Sequence, residues 1–212
     1  IFNFRFATKE FTGEIIPKED MEMIAETARL SPSSFGLEPW KFLIVENKEL
    51  IKEISEVSWG FQRQASTTSH IVIALTKAGS EVKYDSDYIR NLWINTKGVS
   101  EEFFEGIKDV LKNFQVGKLE ADETNEKLLE WSKRQTYIAL GNMMTAAAMR
   151  EIDSCAIEGF DKEKVEEILA KKGILDKEKY ELTYLIAFGY RKEDPNRKKS
   201  RLPKSEVIQW VE

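Results

Sequence analysis

Apolar residues recur at Met21, Ile24, Ala25 and Ala28, the spacing of one face of a helix. Ile16-Pro17-Lys18-Glu19-Asp20 leads into it. The helix is expected to stop before Ser31-Pro32, because the residue preceding a proline is pushed out of helical backbone. KFLIVE at 41–46 reads as a short strand, and KELIKEISEV after it as a helix. HIVIAL at 70–75 has no polar alternation, which predicts a strand buried on both faces. From Tyr84 to about Gln115 the pattern is mostly helical and carries Tyr84, Tyr88, Trp93, Phe103 and Phe104.

A second long helix is predicted from near Asp122 to about Arg150. Its latter half, TYIALGNMMTAAAM, is apolar or small on nearly every side, so it belongs at the centre of a packed structure. Gly141 and Ala146 to Ala148 would let another helix approach closely, which suits a subunit interface as well as a core. There follow a short segment, DSCAIEGF, an amphipathic helix, DKEKVEEILAKKG, closed by Gly173, and a strand, LTYLIAFGY, at 182–190. The tail is a polar, basic loop and then an apolar-alternating stretch from Val207 to Val211. Strands separated by helices of unequal length predict one α+β or α/β domain over residues 1–212.

Composition narrows the classes of function. With 32 Lys and Arg against 37 Asp and Glu, the net charge is −5, so nothing draws the whole chain towards nucleic acid or an anionic membrane. Any basic site must be local. One cysteine, Cys155, and one histidine, His70, allow neither an internal disulfide nor a metal-ligand cluster, which fits a reducing compartment, most simply the cytoplasm. The first residues carry Arg5 and Lys9 and no small-residue cleavage site, unlike a secretory signal. The longest charge-free run, Gln135 to Met149, is too short to span a bilayer. His70 and Cys155 read as a satisfied structural histidine and a buried inert thiol.

Three clusters carry candidate chemistry. Arg5-Phe6-Ala7-Thr8-Lys9 on its own is a pair of solvated cations. Ser31-Pro32-Ser33-Ser34-Phe35-Gly36-Leu37-Glu38-Pro39-Trp40 on composition is a structural turn, although it offers free amides and hydroxyls. Arg197-Lys198-Lys199-Ser200-Arg201 is a basic loop whose sharper reading is a site for one small phosphate, since no aromatic interleaves the cations.

Order along the chain changes their weight. RFATKEF, then SPSSFGLEPWKF, then IEGF after a long apolar helix, then KKSRLP, resemble the nitroreductase family of FMN enzymes across essentially the whole length. The resemblance implies the α+β nitroreductase-like fold: a central, mainly antiparallel sheet flanked by helices, with a C-terminal strand, Ser205 to Val211, exchanged in a homodimer. It implies that Arg5, Lys199 and Arg201 hold the FMN phosphate, a reading the charge argument shares. Phe6 and Ala7 belong to the same motif, Ala7 standing where many members have serine. Lys9 matches a lysine at the N1–C2=O edge of the flavin, where a fixed cation stabilises the reduced anion, and is the expected catalytic residue. Pro32, Ser33 and Ser34 match a segment that packs on the flavin from the other protomer, while Gly36 and Glu38 depart from the commoner Asn and Gln. Gln62 and Gln64 fall in a segment that contacts the flavin edge, Gln64 at a position that is lysine in some relatives. Ile157, Glu158 and Gly159 match the family's N5-contacting segment, with Ala156 in place of proline and Glu158 positional. Arg197 and Lys198 match nothing and are expected to be solvated.

The implied activity is a ping-pong oxidoreduction: hydride from NADH or NADPH, then electrons to a nitroaromatic, quinone or similar small acceptor. A flavin-binding or sensing protein without efficient turnover, or a member with another reductive reaction such as dehalogenation or ene reduction, stands as the alternative. A polyanion-binding module using KKSR is a third.

Overall fold

The computed structural model describes residues 1–121 and 124–212. Four strands form one antiparallel sheet in the order β1-β2-β4-β3: β1 Trp40–Val45, β2 His70–Lys77, β3 Asp153–Ile157 and β4 Tyr180–Gly189. β2 is buried along its whole length, as the apolar run Ile71 to Leu75 predicts, with polar His70, Thr76 and Lys77 buried at its ends. Most of β4 beside it is buried too. DSCAIEGF, read from sequence only as a short segment, supplies β3, paired with β4 through Asp153↔Gly189 to Ile157↔Leu185. Its brevity and its two polar leading residues hid it from a pattern search.

Each face of the sheet carries its own core. On one side α2 (Lys48–Glu56) and α7 (Lys162–Lys171) pack Leu50, Ile51, Ile54, Val165 and Leu169 against Ile71, Ile73, Leu185 and Ala187. On the other, α1 (Lys18–Arg29) and the long α6 (Glu126–Met149) pack Ile24, Ala28, Ala139, Met143 and Ala147 against Val72, Ala74, Ile186 and Phe188. The alternation of even and odd residues along β2 and β4 between the two cores is the pleat read directly. Asn47 caps α2 and Asp161 caps α7 through their side chains, and Gly173 ends α7 at φ +70°.

The helix expected from near Asp122 is α6; Asp122 itself lies outside the described residues, and the helix begins at Glu126. α6 is not interior on every side. Ile138, Gly141 and Met149 face outward, and nothing lies within 4 Å of a Cβ built on Gly141. The aromatic region forms a third cluster, with α4 (Asp87–Asn91) and α5 (Glu101–Lys112) each running on into a π-helical turn, Leu92–Thr96 and Asn113–Lys118. Here Tyr88, Trp93, Phe104 and Phe114 pack with Phe35 and Leu37.

Beyond β4 the chain runs exposed. Lys204–Val207 is one helical turn, α8, started by Pro203 with its φ of −52°, and Ile208 returns to extended backbone. Leu202, Val207, Ile208, Trp210 and Val211 all stand open to solvent.

Candidate functional site

The N-terminal segment is held across the β3 end of the sheet by a buried charge. Asp153 opens β3 at 1% exposure and accepts from Thr8 Oγ1 at 2.8 Å and from Arg191 Nε at 2.9 Å. Arg191 Nη2 also lies 2.9 Å from Asp153 and donates to the Phe4 carbonyl at 2.8 Å, with the guanidinium over the Phe4 ring. Both partners of the ion pair are therefore hydrogen-bonded on several sides, the condition under which a buried carboxylate is tolerated. Thr8 points inward while Ala7 and Lys9, its neighbours, are exposed, and Ala7 bridges Ser154 of β3 in parallel. Further on, Phe11 bridges Arg191 and packs over Gly189, where a Cβ would meet its ring at 2.7 Å. Glycine at the end of β4 is thus what admits Phe11 to the core.

That arrangement sets Arg5 beside the basic loop. Arg5, Phe6, Ala7, Arg197, Lys199, Ser200 and Arg201 line one recess of about 140 Å³. Lys199 reaches under the segment to the carbonyls of Phe2 and, at 2.6 Å, Arg5. Its ammonium is pushed below the usual lysine range by burial and by the charges of Arg5 and Arg201. None of these four cations pairs with a carboxylate among the described residues. Unneutralised guanidinium and ammonium groups converging on one recess make an anion site. Arg197, expected from sequence to be solvated, is exposed and also lines this recess; its guanidinium stands over the Phe6 ring.

Next to it, Phe6 to Glu10 face residues 192–196 across a second recess of about 290 Å³, which Lys9 lines. Lys9 Nζ donates to the Cys155 thiol at 3.3 Å, and Gln64 Nε2 donates to the same sulfur at 3.4 Å. Gln64 is buried on α3 (Gln62–Ala65), whereas Gln62 is exposed. Cys155 is thus not the isolated thiol that its sequence neighbours suggest: its partners lie 146 and 91 residues away. Ile157 is buried at the end of β3, and Glu158 beyond it accepts from the Tyr137 hydroxyl of α6. Burial and then that carboxylate push the Tyr137 hydroxyl far above the ordinary phenol range. The Trp59 indole lies against Gly159, where a Cβ would come within 2.7 Å of its nitrogen.

Pro32, Ser33 and Ser34 stand apart from this group. Ser34 N–H donates to Gln135 of α6 at 2.9 Å, Ser33 Oγ accepts from Glu38 N–H at 3.0 Å, and Asn142 of α6 holds Ser31 at 2.8 Å. Phe35, Gly36 and Glu38 all have positive φ, and the Tyr88 hydroxyl donates to the Leu37 and Glu38 carbonyls. The loop lines neither of these two recesses and, among the described residues, makes no hydrogen bond with Arg5, Lys9, Gln64, Lys199 or Arg201. Glu38, one of the positions that depart from the family pattern, lies 3.7 Å from Lys97. His70 is a satisfied structural histidine, its Nδ1 2.8 Å from Ser69 Oγ.

Among the described residues no group of acidic, cysteine or histidine side chains could hold a metal, and no helix is long and apolar enough to cross a membrane. The sheet order and the helices on both faces define an α+β protein with a basic recess at one end. The family model described as "Nitroreductase family" matches residues 3–190, and the chain belongs to that family. It is 43% identical over 211 residues to the Bacillus subtilis protein named "Putative NAD(P)H nitroreductase YfkO", covering 99% of this chain and 95% of the relative. Among solved structures, a nitroreductase family protein of Streptococcus pneumoniae superposes with a TM-score of 0.76 at 25% identity, covering 99% of this chain and 98% of that one. A nitroreductase-fold structure from Exiguobacterium sibiricum, solved in complex with FMN, gives 0.74 at 21% identity over 99% of this chain and 95% of that one. The basic loop at 197–201 lies beyond the segment that the family model matches.

Proposed function

We propose that this chain is an FMN-dependent oxidoreductase that takes hydride from NADH or NADPH and reduces nitroaromatics, quinones or similar small acceptors in a ping-pong cycle. The observation that carries the reading is the recess of Arg5, Arg197, Lys199 and Arg201, which gathers four cations with no carboxylate on a chain of net charge −5. Three of the four are the positions that the family resemblance assigns to the flavin phosphate, and a phosphate dianion is the charge such a set lacks. Bound FMN supplies the hydride chemistry, and the protein supplies binding, orientation and electrostatics.

Arg5, Lys199 and Arg201 hold the phosphate, with Phe6 and Ala7 lining the path from it. Lys9 presents its ammonium to the pyrimidine edge and stabilises charge that develops there on reduction. Gln62, Gln64, Ile157, Glu158 and Gly159 border the ring. Glu158 acts by position, with its carboxylate already engaged by Tyr137. Pro32, Ser33 and Ser34 complete the site from the second copy of a homodimer, which accounts for their separation from the other groups within one chain.

The outward apolar stripe on α6 and the free edge of β1 support that dimer. Among the described residues β1 pairs on one side only, and the groove between it and α1 is lined by Ile15, Met21, Ala25 and Ile44 with Lys18, Glu22 and Glu46 at its polar side. The partner's apolar tail, which stands exposed in its own chain, occupies that groove and edge in the dimer.

Steady-state oxidation of NADH and NADPH by the purified protein, with and without menadione or a nitroaromatic, tests the activity. Acceleration by an acceptor is expected. An FMN-loaded protein that accelerates with neither nicotinamide and no acceptor would sink the enzymatic reading and leave a flavin-binding protein.

A further inference from the structure

Cys155 lies on β3 at 1% exposure, and its sulfur is met by two donors from separate segments, the Lys9 ammonium at 3.3 Å and the Gln64 amide at 3.4 Å. The thiol in turn faces the Ala156 carbonyl at 3.6 Å. A neutral thiol has one weak donor and weakly accepting lone pairs, and here both capacities are engaged. Among the described residues this sulfur is the only side-chain hydrogen-bond partner of either donor. Gln64 is itself 1% exposed, so no solvent stands ready to replace the contact.

We propose that Cys155 is a positioning residue for the flavin edge: its thiol fixes the Lys9 ammonium and the Gln64 amide in one arrangement and so sets how strongly the site prefers reduced over oxidised FMN. The inference rests on the FMN reading above. A lysine on its four-carbon stem otherwise samples many rotamers, and a charge held in place acts on developing charge more effectively than one that must reorganise. A thiol suits the task because it is a weak, neutral acceptor. A carboxylate at position 155 would hold Lys9 more firmly but would cancel the charge that the flavin edge is to feel.

The test is the midpoint potential of bound FMN, with the FMN dissociation constant measured alongside, in Cys155→Ala, Cys155→Val and Cys155→Ser. Alanine removes the acceptor and leaves a void, whereas valine fills the space without an acceptor, so valine reports even where the alanine variant fails to fold. Both are expected to lower the preference for reduced over oxidised FMN about tenfold, which for a two-electron couple is about 30 mV. Serine, whose hydroxyl accepts the same two bonds, is expected to restore most of it. In a Lys9→Met background the same Cys155 changes are expected to move the potential far less, since the charge being positioned is gone. Wild-type potentials in the valine variant, or a shift undiminished by Lys9→Met, would overturn the proposal and leave the FMN reading intact. Failure of the wild-type protein to take up FMN would overturn both.

Discussion

Lys199 sits among charges of its own sign, and burial and its neighbours Arg5 and Arg201 hold its pKa down. An anion that enters the recess relieves that repulsion, so affinity should depend on each cation. Arg5→Ala and Lys199→Ala are each expected to weaken FMN binding about tenfold or more, the worth of one charge-assisted hydrogen bond. Fluorescence titration would show it, with the loss shrinking at high salt because the recess is partly open. Unchanged affinity in both variants would remove the phosphate assignment. A second titrating residue acts on stability. His70 is buried, and burial, opposed by Glu46 3.7 Å from Nε2 and aided by Lys48, holds its pKa below the ordinary value of 6.5. As pH falls through that ordinary value, the unfolded chain takes up a proton that the folded one refuses, so this contribution is whole above it and is lost below. Wild-type melting temperature should therefore fall more between pH 7.5 and 5 than that of His70→Gln. Parallel melting curves would contradict the assignment.

The elements differ in how they announce themselves. β2 was legible because Ile71 to Leu75 run without polar alternation, although Thr76 and Lys77, polar and buried, extend it past the run read at 70–75. α1, α2 and α7 were legible because one apolar face repeats at helical spacing. α6 was legible in length but not in environment: composition cannot tell an interior helix from one with an exposed outer stripe. β3 was hidden because its function is electrostatic at one end. Asp153 begins it, and a carboxylate within an otherwise apolar stretch signals only that some cation must come to it, not that the cation is Arg191, 38 residues on. The same limit explains Arg197 and Cys155. Of the four motifs, RFATKEF and KKSRLP meet in one recess within the chain while Pro32 to Ser34 stand apart, and which side chains meet depends on contacts across the sheet. The Asp153–Arg191 pair gives an asymmetric prediction. Arg191→Ala leaves a carboxylate at 1% exposure without its cation and is expected to cost about 3 kcal/mol. Asp153→Asn should cost less, because the Arg191 side chain lies nearer the surface and can turn to solvent. Urea denaturation of both variants distinguishes the two, and equal losses would show that the pair is not what holds the N-terminal segment.

For the whole molecule, the exposed apolar tail supports the proposed dimer. Trp210 and Val211 are 83% and 88% exposed, at the end of a chain whose β1 edge and α1 groove lie open. An unpaired edge and an exposed apolar segment are each liabilities that assembly removes. Deleting residues from Lys204 onward is expected to shift the protein towards monomer in sedimentation experiments and to lower its melting temperature. A truncated protein that stays dimeric with normal stability would refute the tail exchange.

The central claim, an FMN oxidoreductase built on this family's fold, is tested most directly by anaerobic titration of the purified protein with NADH and with NADPH, followed in the visible flavin band. The expected result is a yellow protein that releases FMN on denaturation, bleaches with at least one nicotinamide, and regains its colour when menadione or a nitroaromatic is added. A colourless protein that takes up no added FMN, or a bound flavin that neither nicotinamide bleaches, would contradict it.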